Sequence, residues 1–206
     1  MQRVYVSDLK SGEEVLIKGW VYEIRNLSNM AFLLLRDFSG IVQCVIKDKS
    51  LANNLSLESV VEIQGRVKKS NVKAELARND VEVEVSGLKI LSPAEELPIH
   101  VNEKTTTTGL DKRLDFRSLD VRKPRVKSIF KIQSVIINSF REFFFNKDFI
   151  EIQPPGIIAT STEGGTELFP INYFERKAYL AQSPQLYKQL MAISLERVFS
   201  TSAVWR

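Results

Sequence analysis

The sequence predicts an α+β protein: a five-stranded β-barrel followed by a mixed domain of helices and strands. Three observations lead there. The first ninety or so residues alternate apolar and polar positions in short runs broken by turn residues. A Pro- and Thr-rich stretch interrupts them. Beyond it the apolar period lengthens to three and four residues from Pro124 onward. With 206 residues, 44% hydrophobic and 26% charged, the chain has the composition of an ordinary globular protein with material for a real core.

In order along the chain, Val15, Ile17 and Gly19 alternate with Leu16, Lys18 and Trp20, and Val21 to Ile24 continue the first strand. Ala31 to Arg36 and Ile41 to Ile46 form a second and third strand around the hairpin loop Asp37-Phe38-Ser39-Gly40. A polar connector from Lys47 to Glu58 has room for a short helix. Val60, Val61, Ile63 and Val67 mark a fourth strand, and Val81, Val83, Val85, Leu88 and Ile90 a fifth, with Glu82 and Glu84 interleaved. Three strands, a connector and two more strands is the element order of an OB-fold, whose face over strands 2 and 3 commonly binds oligonucleotides. Other five-stranded barrels share this order, so a barrel without nucleic acid stays open on this evidence.

Residues 93–112, with Pro93, Pro98 and the tract Thr105 to Thr108, read as a linker between an OB domain at 1–92 and a second domain at 113–206. Pro124 opens a helix in which Ile129, Ile132, Ile136, Phe140 and Phe143 recur at helical spacing. It ends near Asn146, before a strand Phe149 to Ile152 that the Pro154-Pro155 pair stops. A polar Gly-rich loop covers Gly156 to Gly165. A strand Ala178 to Ala181, a helix Pro184 to Ser194 with Ser183 as its cap, and a strand Arg197 to Trp205 complete the reading.

Several classes are excluded on composition. The apolar clusters around Val135 and Phe143 are broken by Asn138, Ser139, Arg141 and Glu142, short of the ~20 apolar residues a spanning helix needs. No export signal opens the chain, so the cytoplasm is expected. One Cys (Cys44) and one His (His100) allow neither an internal disulfide nor a histidine-based metal site, and no metal ligands are identified. The net charge of +4 is unevenly held. Between Lys112 and Lys131 lie eight basic residues against two acidic ones, a density that either tracks a phosphate backbone or solvates a linker and a helix start.

Three segments together carry a resemblance: Phe149-Ile-Glu-Ile-Gln-Pro-Pro155, Thr162-Glu-Gly-Gly-Thr-Glu-Leu-Phe169 and Ala181-Gln-Ser-Pro-Gln-Leu-Tyr-Lys-Gln-Leu-Met191. With the long helix, they resemble the first half of the catalytic domain of class II aminoacyl-tRNA synthetases, nearest the archaeal and eukaryotic aspartyl enzymes. The resemblance implies an OB-fold anticodon-binding domain joined to an antiparallel α/β catalytic domain that is incomplete here. It implies ATP-dependent activation of L-aspartate with Mg²⁺, then transfer to tRNA for Asp; whether tRNA for Asn is charged too stays open near Tyr22 and the loop Ser70 to Asn79.

Residue by residue, it assigns Glu163 to the substrate ammonium, Gln185 to the α-amino end, Lys188 to the side-chain carboxylate, and Arg206 to both the ATP α-phosphate and the aspartate carboxylate. A cation at Lys188 suits that role, because an amide arriving in place of a carboxylate leaves the charge uncompensated. In the barrel it assigns Phe32 to stacking on an anticodon base and Gln43 and Glu82 to base reading, with Arg25 and Arg36 as companions. Pro155 takes the place of the family's dimer-interface proline, so a homodimer is implied. The chain stops at motif 2, which implies an N-terminal fragment inactive alone. A tRNA-binding module without catalysis, an asparaginyl-type paralogue, and a paralogue acting on free amino acid are the alternatives.

Overall fold

The structure, a computed structural model, describes residues 2–103, 107–160 and 168–205. The chain divides into two compact units, Met1–Val126 and Lys127–Arg206.

Five strands build the first unit: β1 (Glu14–Asn26), β2 (Ala31–Arg36), β3 (Ile41–Ile46), β4 (Val60–Lys69) and β5 (Val81–Ser92). They close into a barrel in the order β1-β2-β3-β5-β4, the expected OB arrangement, with β3 and β5 parallel and the other pairs antiparallel. Alternation decides what goes inside. Val15, Ile17, Val21, Leu33, Leu35, Val42, Cys44, Ile46, Val61, Ile63, Val67 and Val83 meet in one buried cluster, each apolar side chain contributing about 1.5–3 kcal/mol when fully removed from water. Burial pushes the Cys44 thiol far above its ordinary pKa, so it acts as a small apolar group. Closure brings backbones close at two glycines: a Cβ on Gly19 would lie 2.3 Å from the Arg36 carbonyl, and one on Gly65 2.3 Å from that of Glu84. The connector after β3 holds the expected short helix, a 3₁₀ turn over Lys49–Ala52 capped by Asp48.

The residues after the barrel include two short helices that the sequence reading missed, α1 (Leu110–Asp115) and α2 (Arg117–Asp120). Each is too short to show apolar periodicity. Val101 and Leu119 from this stretch join Tyr22, Leu34 and Ile41 on the outside of the barrel, so the described residues between β5 and Val126 belong to the barrel's unit.

The helix α3 (Pro124–Phe145) runs as predicted from its first residue, its first three residues counted with the first unit and the rest with the second. The strands are shorter and more numerous than expected: β6 (Ile150–Glu151), β7 (Ile157–Ile158), β8 (Pro170–Tyr173), β9 (Arg176–Leu180) and β10 (Val198–Phe199), with α4 (Gln185–Leu195) between the last two. The β7-β9-β8 sheet is antiparallel, whereas β10 pairs with β6 in parallel. The strand expected over Arg197 to Trp205 stops at Phe199, and beyond it the Ser200 hydroxyl bonds to the hydroxyl and backbone N–H of Ser202. The cap of α4 also differs. Pro184 is the capping residue, and the Ser183 hydroxyl accepts the Gln185 N–H one residue further on, at 3.2 Å. Phe144 anchors this unit, stacked on Phe199 at 4.9 Å and edge-on to Phe149.

Candidate functional site

The barrel's outer face is set by register. Directly paired residues share a face, and two rows run unbroken across β1, β2, β3 and β5: Arg25, Phe32, Val45 and Glu84 in one, and Glu23, Leu34, Gln43 and Glu82 in the other. Four of the five residues expected to read RNA therefore stand together: Arg25, Phe32, Gln43 and Glu82. Phe32 is half-buried and outside the core, with its neighbours Ala31 and Leu33 turned inward. Gln43 donates from Nε2 to a Glu82 carboxylate oxygen at 3.0 Å. That leaves the Gln43 carbonyl oxygen and the second Glu82 oxygen as a pair of acceptors.

Charge on this face is uneven. Glu84 is held by Lys47 and Lys68, whose hydrogen bonds lower its pKa to about 2. Glu82 makes no ion pair among the described residues. Arg25 is exposed and bridges to Glu23 at 2.6 Å. Leu34 and Val45 join the face without having been singled out from sequence, as does Glu84, which the sequence reading noted only for its alternation with the valines; that period-2 alternation is the signal that could have found all three.

Arg36 is placed differently. It extends the same face of β2, but it is buried and donates to Glu58 at 2.7 Å, with its guanidinium over the rings of Trp20 and Tyr22. Tyr22 itself is the extra residue of a β-bulge, since β1 and β2 pair through Val21 and then Glu23. Alternation after the inward Val21 already points its ring outward, in a cluster that Ala74 and Ala77 of the loop at 70–79 pack against, and the bulge brings Glu23 and Arg25 onto the same outer face. A cavity of about 230 Å³ opens there, walled by Arg25, Leu34, Tyr22, Lys73 and Asn102. Burial raises the Tyr22 hydroxyl's pKa, with the Arg36 charge opposing.

In the second unit, Gln185 and Lys188 occupy the first turn of α4 and are both exposed. Lys188 makes no ion pair among the described residues. Pro155 is exposed just beyond β6. Glu163 and Arg206 lie outside the described residues. One functional-looking junction went unnoticed in the sequence. Glu151 of β6 accepts hydrogen bonds from Arg141 of α3, at 3.0 Å, and from the Thr201 hydroxyl beyond β10, and these hold its pKa below the usual carboxylate range. No sequence spacing links positions that far apart. No group of three or more His, Cys, Asp or Glu among the described residues could hold a metal ion.

Residues 15–91 match the OB-fold nucleic acid binding domain, and residues 109–206 match tRNA synthetases class II (D, K and N). The chain thus carries an OB-fold nucleic acid binding domain followed by a class II tRNA synthetase segment. Among curated relatives, the aspartate–tRNA(Asp/Asn) ligase of Archaeoglobus fulgidus is 44% identical over 99% of this chain, and that of Saccharolobus solfataricus 44% identical over 95%. The chain spans about half the length of these synthetases, 49% and 46%. Among solved structures, asparaginyl-tRNA synthetase from Pyrococcus horikoshii bound to asparaginyl-adenylate matches all of this chain with a TM-score of 0.88 and 32% identity, over 48% of its own length. Aspartyl-tRNA synthetase from Entamoeba histolytica matches with 0.78 and 28%, over 46% of its length. The OB barrel and the partial α/β domain are thus synthetase elements, and Tyr22 to Glu84 fall within the matched OB segment.

Proposed function

We propose that this chain is the anticodon-reading and amino-acid-selecting part of an aspartate–tRNA ligase. The observation that carries it is the outer face of the barrel, where register sets Phe32 beside a hydrogen-bonded Gln43–Glu82 pair. An aromatic ring beside acceptor oxygens is what an unstacked base requires: a surface for its face and partners for its edge. The acceptor-rich pair suits a base edge that presents N–H donors.

In the second unit the reading rests on Lys188 and Gln185. An ammonium on the first turn of α4, unpaired among the described residues, is a partner for the aspartate carboxylate, and Gln185 is three residues away on the same face. Glu163 would take the substrate ammonium and Arg206 the ATP α-phosphate together with the aspartate carboxylate. ATP would supply the adenylyl group that activates the aspartate carboxylate, with pyrophosphate as the leaving group, and would bring Mg²⁺ as its counter-ion. Selection between aspartate and asparagine follows from charge, because the two differ little in shape. Pro155 and the apolar face of α3 would lie against a second copy, and the complete enzyme would work in the cytoplasm; among the described residues no helix is long and apolar enough to cross a membrane.

The test is ATP–pyrophosphate exchange by the chain extended to the length of its relatives. Exchange that depends on aspartate and not on asparagine is expected. Exchange driven by asparagine would favour the second reading, an asparaginyl enzyme, which the likeness to the Pyrococcus horikoshii structure supports. Binding of an anticodon hairpin without any exchange would leave an RNA-binding module.

A further inference from the structure

Glu58 is a buried junction with no part in the reading face. Its carboxylate oxygen Oε2 receives Arg36 of β2 and Arg122 from beyond the barrel, both at 2.7 Å, and its side chain is 3% exposed. Its backbone is left-handed, with φ at 66°, a conformation few non-glycine residues adopt. Exchange of hydrogen bonds with Val21 holds it there: the Glu58 N–H donates to the Val21 carbonyl at 2.7 Å, and the Val21 N–H donates to the Ser59 carbonyl at 3.0 Å. Both guanidinium groups lie over the Trp20 ring, Arg36 at 5.6 Å and Arg122 at 5.0 Å. Two cations, one carboxylate and one indole thus close around a single point on the barrel wall.

Arg122 has an anchored neighbour. Lys123, 2% exposed, donates to Glu103 at 3.0 Å and lies 3.9 Å from the fully buried Asp120, which also accepts from Arg113 and Arg117. Adjacent residues therefore pull in two directions, Arg122 to the barrel and Lys123 to the folded stretch around α1 and α2. Pro124, the first residue of α3, comes next. Buried ion pairs of this kind add little net stability against an apolar alternative but strongly penalise any geometry that separates them. Their effect is on position.

We infer that Glu58 and Arg122 form a clasp that fixes the residues leading into α3 against the barrel, and so act as positioning residues for tRNA charging and not for amino-acid activation. The inference rests on the proposed ligase reading. Activation needs no anticodon; charging needs the bound tRNA held at a set place, so a loosened clasp separates the two reactions. Arg122→Met is the first test, since it keeps the bulk of the stem, removes the connector's prong and leaves the Arg36–Glu58 pair intact. In the 206-residue chain, hydrogen exchange of amides 117–123 should quicken while exchange within β1 to β5 and affinity for an anticodon hairpin hold steady. In the chain extended to its relatives' length, kcat/KM for tRNA aminoacylation should fall about tenfold, with pyrophosphate exchange changed by less than about twofold. Glu58→Gln should repeat the split, and Arg122→Lys should recover part of the loss. An equal fall in both reactions, no fall in either, or a parallel loss of hairpin affinity would overturn the inference while leaving the ligase reading standing. Failure of the unaltered chain to bind the hairpin would instead sink the reading, and the inference with it.

Discussion

The barrel unit and the α3–α4 unit draw on the same apolar residue types and dispose of them in opposite ways. Val21, Leu33, Leu35, Val61 and Ile63 are fully buried, whereas on α3 Ile129, Ile132, Val135, Ile136 and Phe143 stand 56–64% exposed, and Ile193 of α4 83%. A sheet closed on itself needs no partner, since its inner face is its own core and it leaves no edge. An amphipathic helix beside short strands has no such option. Its stripe must be covered by other residues, from its own chain or from a second copy. The sites differ likewise: Gln43 and Glu82 are already joined on the barrel, while Gln185 and Lys188 stand exposed.

Substitutions can break or sharpen this contrast. The largest effect is expected at Leu33→Ala, which opens a cavity in a sealed core and should cost about 2–5 kcal/mol in chemical denaturation of the barrel unit. A cost near zero would mean the barrel is not the self-sufficient half. Lys188→Ala, in the chain extended to its relatives' length, should reduce the preference for aspartate over asparagine in pyrophosphate exchange by about a hundredfold; undiminished preference would strip that end of its assigned role. Phe32→Ala should weaken anticodon-hairpin binding by about 1–3 kcal/mol in a titration, leaving thermal stability nearly unchanged because the ring lies outside the core.

Acid should reach both units through their paired carboxylates. Glu84 is lowered to about 2 by Lys47 and Lys68. Asp120 is lowered chiefly by Arg113, and Glu103 by Lys123 and Thr108, which together outweigh its burial; Glu151 is lowered by Thr201 and Arg141. Folded values below the unfolded ones mean stability present above the ordinary carboxylate range and lost as pH falls through it toward the folded values. The unfolding temperature should therefore drop steadily below about pH 4.5. A flat profile down to pH about 3 would show that these pairs do not persist in solution. Smallest of all, Ile136→Ala should shift the stability of the monomeric chain by less than about 0.5 kcal/mol, as expected of an exposed site. A loss comparable to that at Leu33 would reveal that the helix face is covered.

The barrel was legible from sequence because its signal is local: Val15, Ile17 and the Val81-Glu-Val-Glu-Val85 run declare their faces by alternation alone. α3 was legible for the same reason at a longer period. What escaped notice has no local signature. The strands β7 and β8 span two and four residues and exist only through pairing with β9. The bulge at Tyr22 depends on how β2 lies against β1. The resemblance made Arg36 a companion in anticodon reading, and its burial follows from Glu58, 22 positions away.

Sequence alone determined the two element types and the order of the barrel strands along the chain, since these depend on side-chain period, while the candidate base-reading residues were implied by the family resemblance. Tertiary structure decided which of those residues meet. Parallel pairing of β3 with β5 put Gln43 against Glu82, and the Glu58 carboxylate took Arg36 out of solvent and drew in the half-buried Arg122. Both outcomes require chain segments distant in sequence to satisfy one another's hydrogen bonds in a low-dielectric setting, a condition that no local pattern encodes.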